Sequence, residues 1–316
     1  MSDNHLKVAA AQIAPVWLQR DATLAKVTDW VKKAAAEGCA LVVFGEALVP
    51  GYPFWIEHTD GARFNSDHQK DIFAHYLDQG VQIEAGHLEP ICKIAQDQDI
   101  SVILGIVERP ADRGGHSLYC SRVHITAAGQ IASVHRKLMP TYEERLVWAP
   151  GDGHGLQVHG VGAFTVGSLN CYENWMPLPR TALYAQGEDL HVALWPGGLH
   201  NTGDITQFLA KEGRSYVISV SGMLQKSDIP RDNPAAAMLK NCPDVLANGG
   251  SAIVGPDGAW IVEPVTDQED LLIATLDHAN VRRERQNFDL SGHYSRPDVT
   301  KLSVDTRRQY ILQSEE

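Results

Sequence analysis

Three ionisable side chains stand just past the ends of apolar runs: Glu46 after residues 40–44, Lys137 after 131–135, and Cys171 after 164–169. A thiol, a carboxylate and an ammonium suffice for nucleophilic catalysis without histidine. The carboxylate takes the thiol proton, and the ammonium stabilises the thiolate and any anion that develops on the attacked group. If the three runs share a sheet, their carboxyl ends open on one crevice, where α/β folds place ligands. Mutual pairing would also offset the cost of burying Glu46 and Lys137 singly. Each residue has a plainer reading: a structural cysteine in an apolar core, a loop-capping glutamate, a solvated strand-end lysine. Only convergence of the three in space sets those aside.

The surroundings of each residue support that convergence. Residues 164–177 read FTVGSLNCYENWMP, a short strand broken at Asn170, with Cys171 at its end and a polar-aromatic turn leading into a helix. A thiol on a strand-to-helix elbow is held on rigid backbone near helix N–H groups that favour a thiolate. Glu46 sits at the tip of a fully apolar strand, where a charge is seldom placed without a partner, and the proline-fixed aromatic loop 50–55 follows it. The glycine-rich stretch 149–155 has neither the Walker spacing nor a following helix, so it reads as a turn.

The elements that must position these groups are legible from periodicity. Runs 6–13, 40–44, 101–107, 190–195, 216–223 and 270–276 have the length and apolarity of buried strands. Residues 21–37 place Leu24, Val27, Trp30, Val31 and Ala34 on one helical face, closed by Gly38. Residues 84–98, 180–186, 205–212 and 280–285 read as further helices, 63–80 as loop passing into helix, and 228–246 as polar and proline-broken. Strand pairs 118–125/131–135 and 250–254/259–265 flank turn sequences and carry hairpin signatures. Strands alternating with helices, plus hairpins, indicate a layered α/β protein of mixed sheets. With no internal repeat and no linker-like shift in composition, one domain is expected over 1–297. The polar tail 298–316 is expected to be mobile or to dock on a neighbouring subunit.

Composition excludes several classes. Of 316 residues, 44% are hydrophobic and 21% charged, as in an ordinary globular protein. The net charge of −12 and the absence of a dense lysine/arginine cluster argue against a nucleic-acid face. No apolar run reaches the ~18 residues of a membrane span, and the N-terminus lacks a basic-then-apolar signal. Cysteines at 39, 92, 120, 171 and 242 form an odd, widely spaced set without a CxxC pair. That suggests reduced thiols in a cytoplasmic protein, not a disulfide framework or a structural zinc.

Taken together, Phe44-Gly-Glu46, His135-Arg-Lys137-Leu-Met-Pro140-Thr141 and Asn170-Cys171-Tyr-Glu-Asn174 resemble the nitrilase superfamily. Its enzymes use a Glu-Lys-Cys triad to hydrolyse non-peptide carbon–nitrogen bonds. The likeness runs from Val8-Ala-Ala-Ala-Gln12 to Gly292-His-Tyr-Ser-Arg-Pro-Asp298, and the order and spacing of the motifs agree. The stretch from Pro140 through Glu144 to Trp148, then Gly151-Asp-Gly153, is similar to the lysine-side motif of the nitrilase branch. Cys171-Tyr-Glu-Asn-Trp-Met-Pro177 resembles that branch's nucleophile motif. Amidase and carbamoylase branches carry an arginine a few residues after the cysteine, where this chain has Asn174-Trp175-Met176. Tyr172 stands where many nitrilases have tryptophan, which leaves the nitrile class open.

The resemblance implies Glu46 as general base, Cys171 as nucleophile, and Lys137 with the Tyr172 backbone N–H as stabilisers of the tetrahedral species. Glu144 matches an additional family glutamate that orients the triad or moves protons; Glu143 reads as a solvated neighbour. Tyr52, Trp55, Trp175, Trp195 and His200 flank the motif strands and, with Tyr172, are candidate walls for a small nitrile; ordinary core packing is the alternative for each aromatic. The implied fold is an α-β-β-α sandwich that pairs into an α-β-β-α-α-β-β-α homodimer, extended in this branch into spiral homo-oligomers. No metal, nucleotide or prosthetic group is implied. The competing readings are an amidase, or an amide-forming enzyme of the same fold; a cysteine-histidine hydrolase drawing on one of 14 histidines; and a thiol-bearing assembly protein without activity.

Overall fold

A computed structural model of the chain describes residues 4–312. Among the described residues thirteen strands fall into two sheets. The first contains β1 (His5–Gln12), β2 (Leu41–Phe44), β3 (Ser101–Glu108), β4 (Tyr119–Ile125), β5 (Ile131–Arg136) and β13 (Asp270–Asp277). The second contains β6 (His159–Val161), β7 (Phe164–Asn170), β8 (Leu190–Trp195), β9 (Tyr216–Ser221), β10 (Met223–Gln225), β11 (Val245–Val254) and β12 (Trp260–Thr266). The strand orders are β13-β1-β2-β3-β4-β5 and β10-β11-β9-β8-β7-β6, with β12 paired to β11. Each sheet has a parallel centre, β1-β2-β3 and β7-β8-β9, and antiparallel flanks, so both are mixed. The helices are α1 (Arg20–Ala36), α2 (Trp55–His58), α3 (Asp67–Gln79), α4 (Glu89–Gln98), α5 (Pro177–Tyr184), α6 (Leu199–Gly213) and α7 (His278–Arg285).

The period-two alternation of the strands explains the layering. Val8, Ala10, Leu41 and Val43 of the first sheet meet Val166, Val192, Leu194 and Ile218 of the second in one buried cluster. Their neighbours Ala9, Ala11, Val42 and Phe44 face the other way, onto Leu24, Val27 and Val31 of α1 and Ile91 of α4. On the far side, Ala193, Trp195 and Val217 pack on Ile205 and Leu209 of α6, and Leu169 packs on Ala182 and Leu183 of α5. The result is the expected sandwich, helices–sheet–sheet–helices.

The two sheets are pinned together where β2 and β8 end: the Glu46 N–H donates to the Trp195 carbonyl at 3.1 Å. Glycine makes this approach possible, since a Cβ on Gly45 would lie 3.2 Å from the Trp195 carbonyl and 3.1 Å from the Gly222 nitrogen.

Several boundaries differ from expectation for local reasons. Helix α6 begins at Leu199 instead of 205, because Gly197 and Gly198, at φ 148° and 94°, turn the chain directly into it. The expected strand 216–223 is interrupted at Gly222, where a side chain would meet the Pro196 carbonyl at 2.5 Å. Helix α5 starts at Pro177, a residue suited to a first helical position, and not at 180. The polar stretch 228–246 is taken up by 3₁₀ turns, one of them Pro234–Lys240, and β11 starts at Val245.

The tail runs back over its own subunit. Val304 packs beside Leu156 and Leu183. Arg308 donates to Asp152 Oδ1 and to the Val134 carbonyl, both at 3.0 Å, and the Gln309 N–H donates to Asp152 Oδ2 at 3.0 Å. Among the described residues no helix is long and apolar enough to cross a membrane.

Candidate active site

Lys137 follows directly on β5. Its N–H donates to the Cys120 carbonyl and its own carbonyl accepts from the Gly151 N–H, both at 2.8 Å, which points the side chain inward. It is 1% exposed, so the solvated strand-end reading does not hold. Its Nζ lies 2.8 Å from Glu46 Oε1 and 2.7 Å from Glu144 Oε2. Glu144 arrives on the 3₁₀ turn Tyr142–Leu146, where its Oε2 also accepts from the Thr141 N–H at 2.6 Å and its Oε1 from the Tyr52 hydroxyl at 3.0 Å. Glu46 Oε1 further accepts from the Cys120 thiol at 3.3 Å, while Oε2 is buried without a partner. A fully buried carboxylate oxygen with an open lone pair is positioned to receive a proton.

Cys171 closes the site. Its sulfur and carboxylate oxygens of Glu46 and Glu144 all lie within 4.8 Å of one another. The residue sits at φ 44°, a left-handed conformation costly for any side chain but glycine's. Neighbours hold it there. Asn174 Nδ2 donates to the Cys171 carbonyl at 2.9 Å and to the Leu169 carbonyl at 3.3 Å. Asn174 is itself gripped by Arg180, which donates to its carbonyl at 2.9 Å, and by His191, whose Nε2 lies 2.8 Å from Asn174 Oδ1. The other ring nitrogen of His191 contacts Glu188 Oε1 at 2.8 Å.

The electrostatics follow from burial around one cation. Burial raises the Glu46 carboxyl to about 7, with Glu144 adding to the rise and Lys137 and the Cys120 thiol opposing it. Burial likewise raises the Cys171 thiol above its ordinary range, against the pull of Lys137 and a hydrogen bond from the Tyr172 N–H. For Lys137, burial favours the neutral amine, but Cys171, Glu46 and Glu144 outweigh it and keep the ammonium. The thiol therefore rests protonated, beside a carboxylate that titrates near neutrality and a cation that would stabilise the sulfur anion. One sulfur and two carboxylates at this spacing resemble a metal site. The Lys137 ammonium already bridges the two carboxylates, so the place a cation would take is filled by the chain itself.

The remaining candidates are spread out. Tyr52 is at the site through its bond to Glu144. Tyr172 and Trp175 are 56% and 46% exposed on the turn that follows Cys171. Trp195 is buried under α6, in the cluster that Cys171 also joins, and its Nε1 donates to Ser219 Oγ at 3.3 Å. Trp55 packs edge-on to Tyr76 at 4.6 Å in a separate cluster, and also lines a cavity of about 250 Å³ with Phe73 and Leu146. His200 is exposed in the first turn of α6. Sequence reasoning assigned no role to Cys120, Glu173, Asn174 or His191. Only position beside a motif residue hinted at Asn174 and Glu173; nothing local marked the other two.

A half-buried thiol, a buried ammonium and a buried carboxylate pair at the end of a two-sheet sandwich are the groups that nucleophilic hydrolysis needs. Residues 7–286 match the carbon-nitrogen hydrolase family, and the chain belongs to it, as a hydrolase of carbon–nitrogen bonds. Within the family, several nitrilases are similar to it over nearly its whole length. It is 35% identical over 306 residues to an aliphatic nitrilase of Sinorhizobium fredii, covering 95% of both chains. It is 32% identical to Nitrilase 2 of Arabidopsis thaliana, over 96% of this chain and 90% of that one. An arylacetonitrilase of Aspergillus niger is 33% identical, over 96% and 92%. Among solved structures, an amidase from Nesterenkonia sp. superposes with a TM-score of 0.64 over 91% of this chain and 96% of that one. At 18% identity, that likeness bears on the fold.

Proposed function

We propose that the chain is a nitrilase, converting an organic nitrile and two waters to a carboxylic acid and ammonia. The observation that carries this reading is the Lys137 ammonium held 2.8 and 2.7 Å from two buried carboxylates, with the Cys171 sulfur within 4.8 Å of both. Glu46 takes the thiol proton as Cys171 attacks the nitrile carbon, and the proton passes to nitrogen to give a thioimidate. Water adds, and Lys137 with the Tyr172 N–H stabilises the tetrahedral species. Collapse expels ammonia and leaves a thioester. A second water, activated by Glu46 with Glu144 orienting Lys137, releases the acid and restores the thiol. Collapse of the first tetrahedral species with loss of sulfur instead would release the amide.

Nitrilase relatives spanning nearly the whole chain support nitriles as substrates in preference to amides. Tyr172 and Trp175, exposed beside Cys171, are the favoured substrate contacts, with Tyr52, Trp55, Trp195 and His200 further candidates. A single catalytic domain over 1–297 assembles as a homodimer across α5 and α6, where Leu178, Leu199 and Phe208 are exposed, and then into larger spirals. Five free cysteines suit a cytoplasmic setting.

The test is a panel of aliphatic, aromatic, arylaceto- and dinitriles, with ammonia, acid and amide quantified. Acid with equimolar ammonia, lost in Cys171→Ala with the fold intact, is expected. Turnover of amides alone would replace this reading with the amidase one, and activity retained by Cys171→Ala would remove the nucleophile.

A further inference from the structure

Glu173 lies two residues beyond the nucleophile, is 0% exposed, and spends its carboxylate on hydrogen bonds to His135, Leu138 and Asn170. Its Oε1 accepts from the Leu138 N–H at 2.8 Å, the residue after Lys137. Its Oε2 accepts from the Asn170 N–H at 3.0 Å, the residue before Cys171. The His135 Nε2 lies between the two oxygens, at 3.0 and 3.1 Å, on the strand that delivers Lys137. Lys137 and Cys171 come from different sheets, β5 from the first and β7 from the second. One buried carboxylate thus ties the two strand ends that carry them.

We infer that Glu173 is a positioning residue for carbon–nitrogen hydrolysis: it sets the separation of the Cys171 sulfur from the Lys137 ammonium by fastening both backbones to one carboxylate. A packing role would require only volume, and an apolar side chain would supply it. This side chain instead spends each oxygen on a peptide N–H directly beside a reacting residue, and the strained backbone of Cys171 needs such fixing. Although burial alone would push its proton affinity up, His135 and the two N–H groups pull it below the usual carboxylate range, so the anion is the form present at neutral pH.

The inference rests on the catalytic roles proposed above, so its test has one arm that needs no turnover. Glu173→Gln keeps the volume but turns one oxygen into an N–H donor, which must face either the Leu138 or the Asn170 N–H and release it. A shift of about 1 Å between reacting groups can cost about 100-fold. The expectation is a kcat about 100-fold lower, a KM within about threefold of wild type, and alkylation of Cys171 by iodoacetamide slowed about tenfold at neutral pH, with a cooperative melt. A folded Glu173→Gln variant with unchanged kcat and alkylation rate overturns the inference, as does a loss confined to KM. If that variant does not fold, Glu173→Asp is measured: it keeps the charge, withdraws it by about 1.5 Å, and should show the same split in smaller degree. Normal kcat and alkylation in Glu173→Asp would likewise overturn it. Absence of nitrile turnover in the wild type would count against the proposed function, leaving the alkylation arm to decide on Glu173.

Discussion

Lys137 Nζ lies 2.8 Å from Glu46 Oε1 with both side chains wholly excluded from solvent, and a second carboxylate, Glu144, sits on the same ammonium at 2.7 Å. Two buried carboxylates against one buried lysine leave the cluster with excess negative charge. Such a cluster is tolerable only if a proton is shared or a ligand completes it. In Glu46 the proton is the answer, since burial lifts that carboxyl to about 7.

Removing the ammonium tests this arrangement. Lys137→Ala leaves Glu46 and Glu144 facing each other, and breaking a buried pair costs roughly 3–5 kcal/mol. Without the cation the Glu46 carboxyl, already raised by burial, holds its proton still more tightly in the folded than in the unfolded chain. Stability is then retained at low pH and lost as pH rises through the raised folded value. The variant should therefore melt further below wild type around pH 8 than around pH 5, with activity down by several orders of magnitude. A melting deficit independent of pH would show that the two carboxylates do not depend on Lys137.

Cys120 tunes the base. Its thiol donates to Glu46 Oε1 at 3.3 Å and favours the carboxylate, so it holds the Glu46 value below what burial alone would give. If Glu46 must be ionised to act, kcat/KM rises with pH through about 7. Cys120→Ala removes the donor and should move that rising limb to higher pH by a few tenths of a unit. Cys120→Ser supplies a stronger donor and should move it down. Identical limbs in all three proteins would mean that another group controls the profile.

What was readable in the sequence divides along physical lines. Continuous apolar runs announce β1, β2 and β8 as buried strands, and Glu46, Lys137 and Cys171 are conspicuous because each stands just past the end of an apolar run. Parity would also have placed Trp195: Leu190, Val192 and Leu194 face the other sheet, so residue 195 must face the helices, where it packs under α6. The contacts of Cys120 with Glu46 and of Glu173 with Leu138 had no comparable signal. They join residues 74 and 35 positions apart through strand neighbours that only the folded chain creates.

Tyr52 offers a test of how Glu144 is oriented. Its hydroxyl donates to Glu144 Oε1, and a hydrogen bond to a charged group is worth about 1.5–3 kcal/mol. Expressed at the chemical step, that is a loss of roughly tenfold or more in kcat for Tyr52→Phe. A role in gripping substrate would instead raise KM at constant kcat. Unchanged kinetics would mean that Lys137 and the Thr141 N–H fix Glu144 without help.

The tail presents the last test, because its anchorage lies next to the catalytic lysine. Asp152 is nearly enclosed and receives Arg308 and the Gln309 N–H at 3.0 Å each. Its neighbour Gly151 donates to the Lys137 carbonyl at 2.8 Å. Although burial acts to raise it, the Asp152 carboxyl is held below its ordinary value by the Gln309 N–H, Arg308 and the His154 N–H. The stability it contributes is thus present above the unfolded value of 3.8 and disappears as pH falls through the lowered folded one. Arg308→Ala should cost roughly 1–3 kcal/mol near neutrality, seen as a melting point lower by several degrees, and the deficit should shrink on acidification. A chain ending at Ser303 should lose as much or more. Because these contacts are made within one subunit, the deficit should not vary with protein concentration. A deficit that grows on dilution would instead assign the tail to a neighbouring subunit, since only an intersubunit contact obeys mass action in the protein itself.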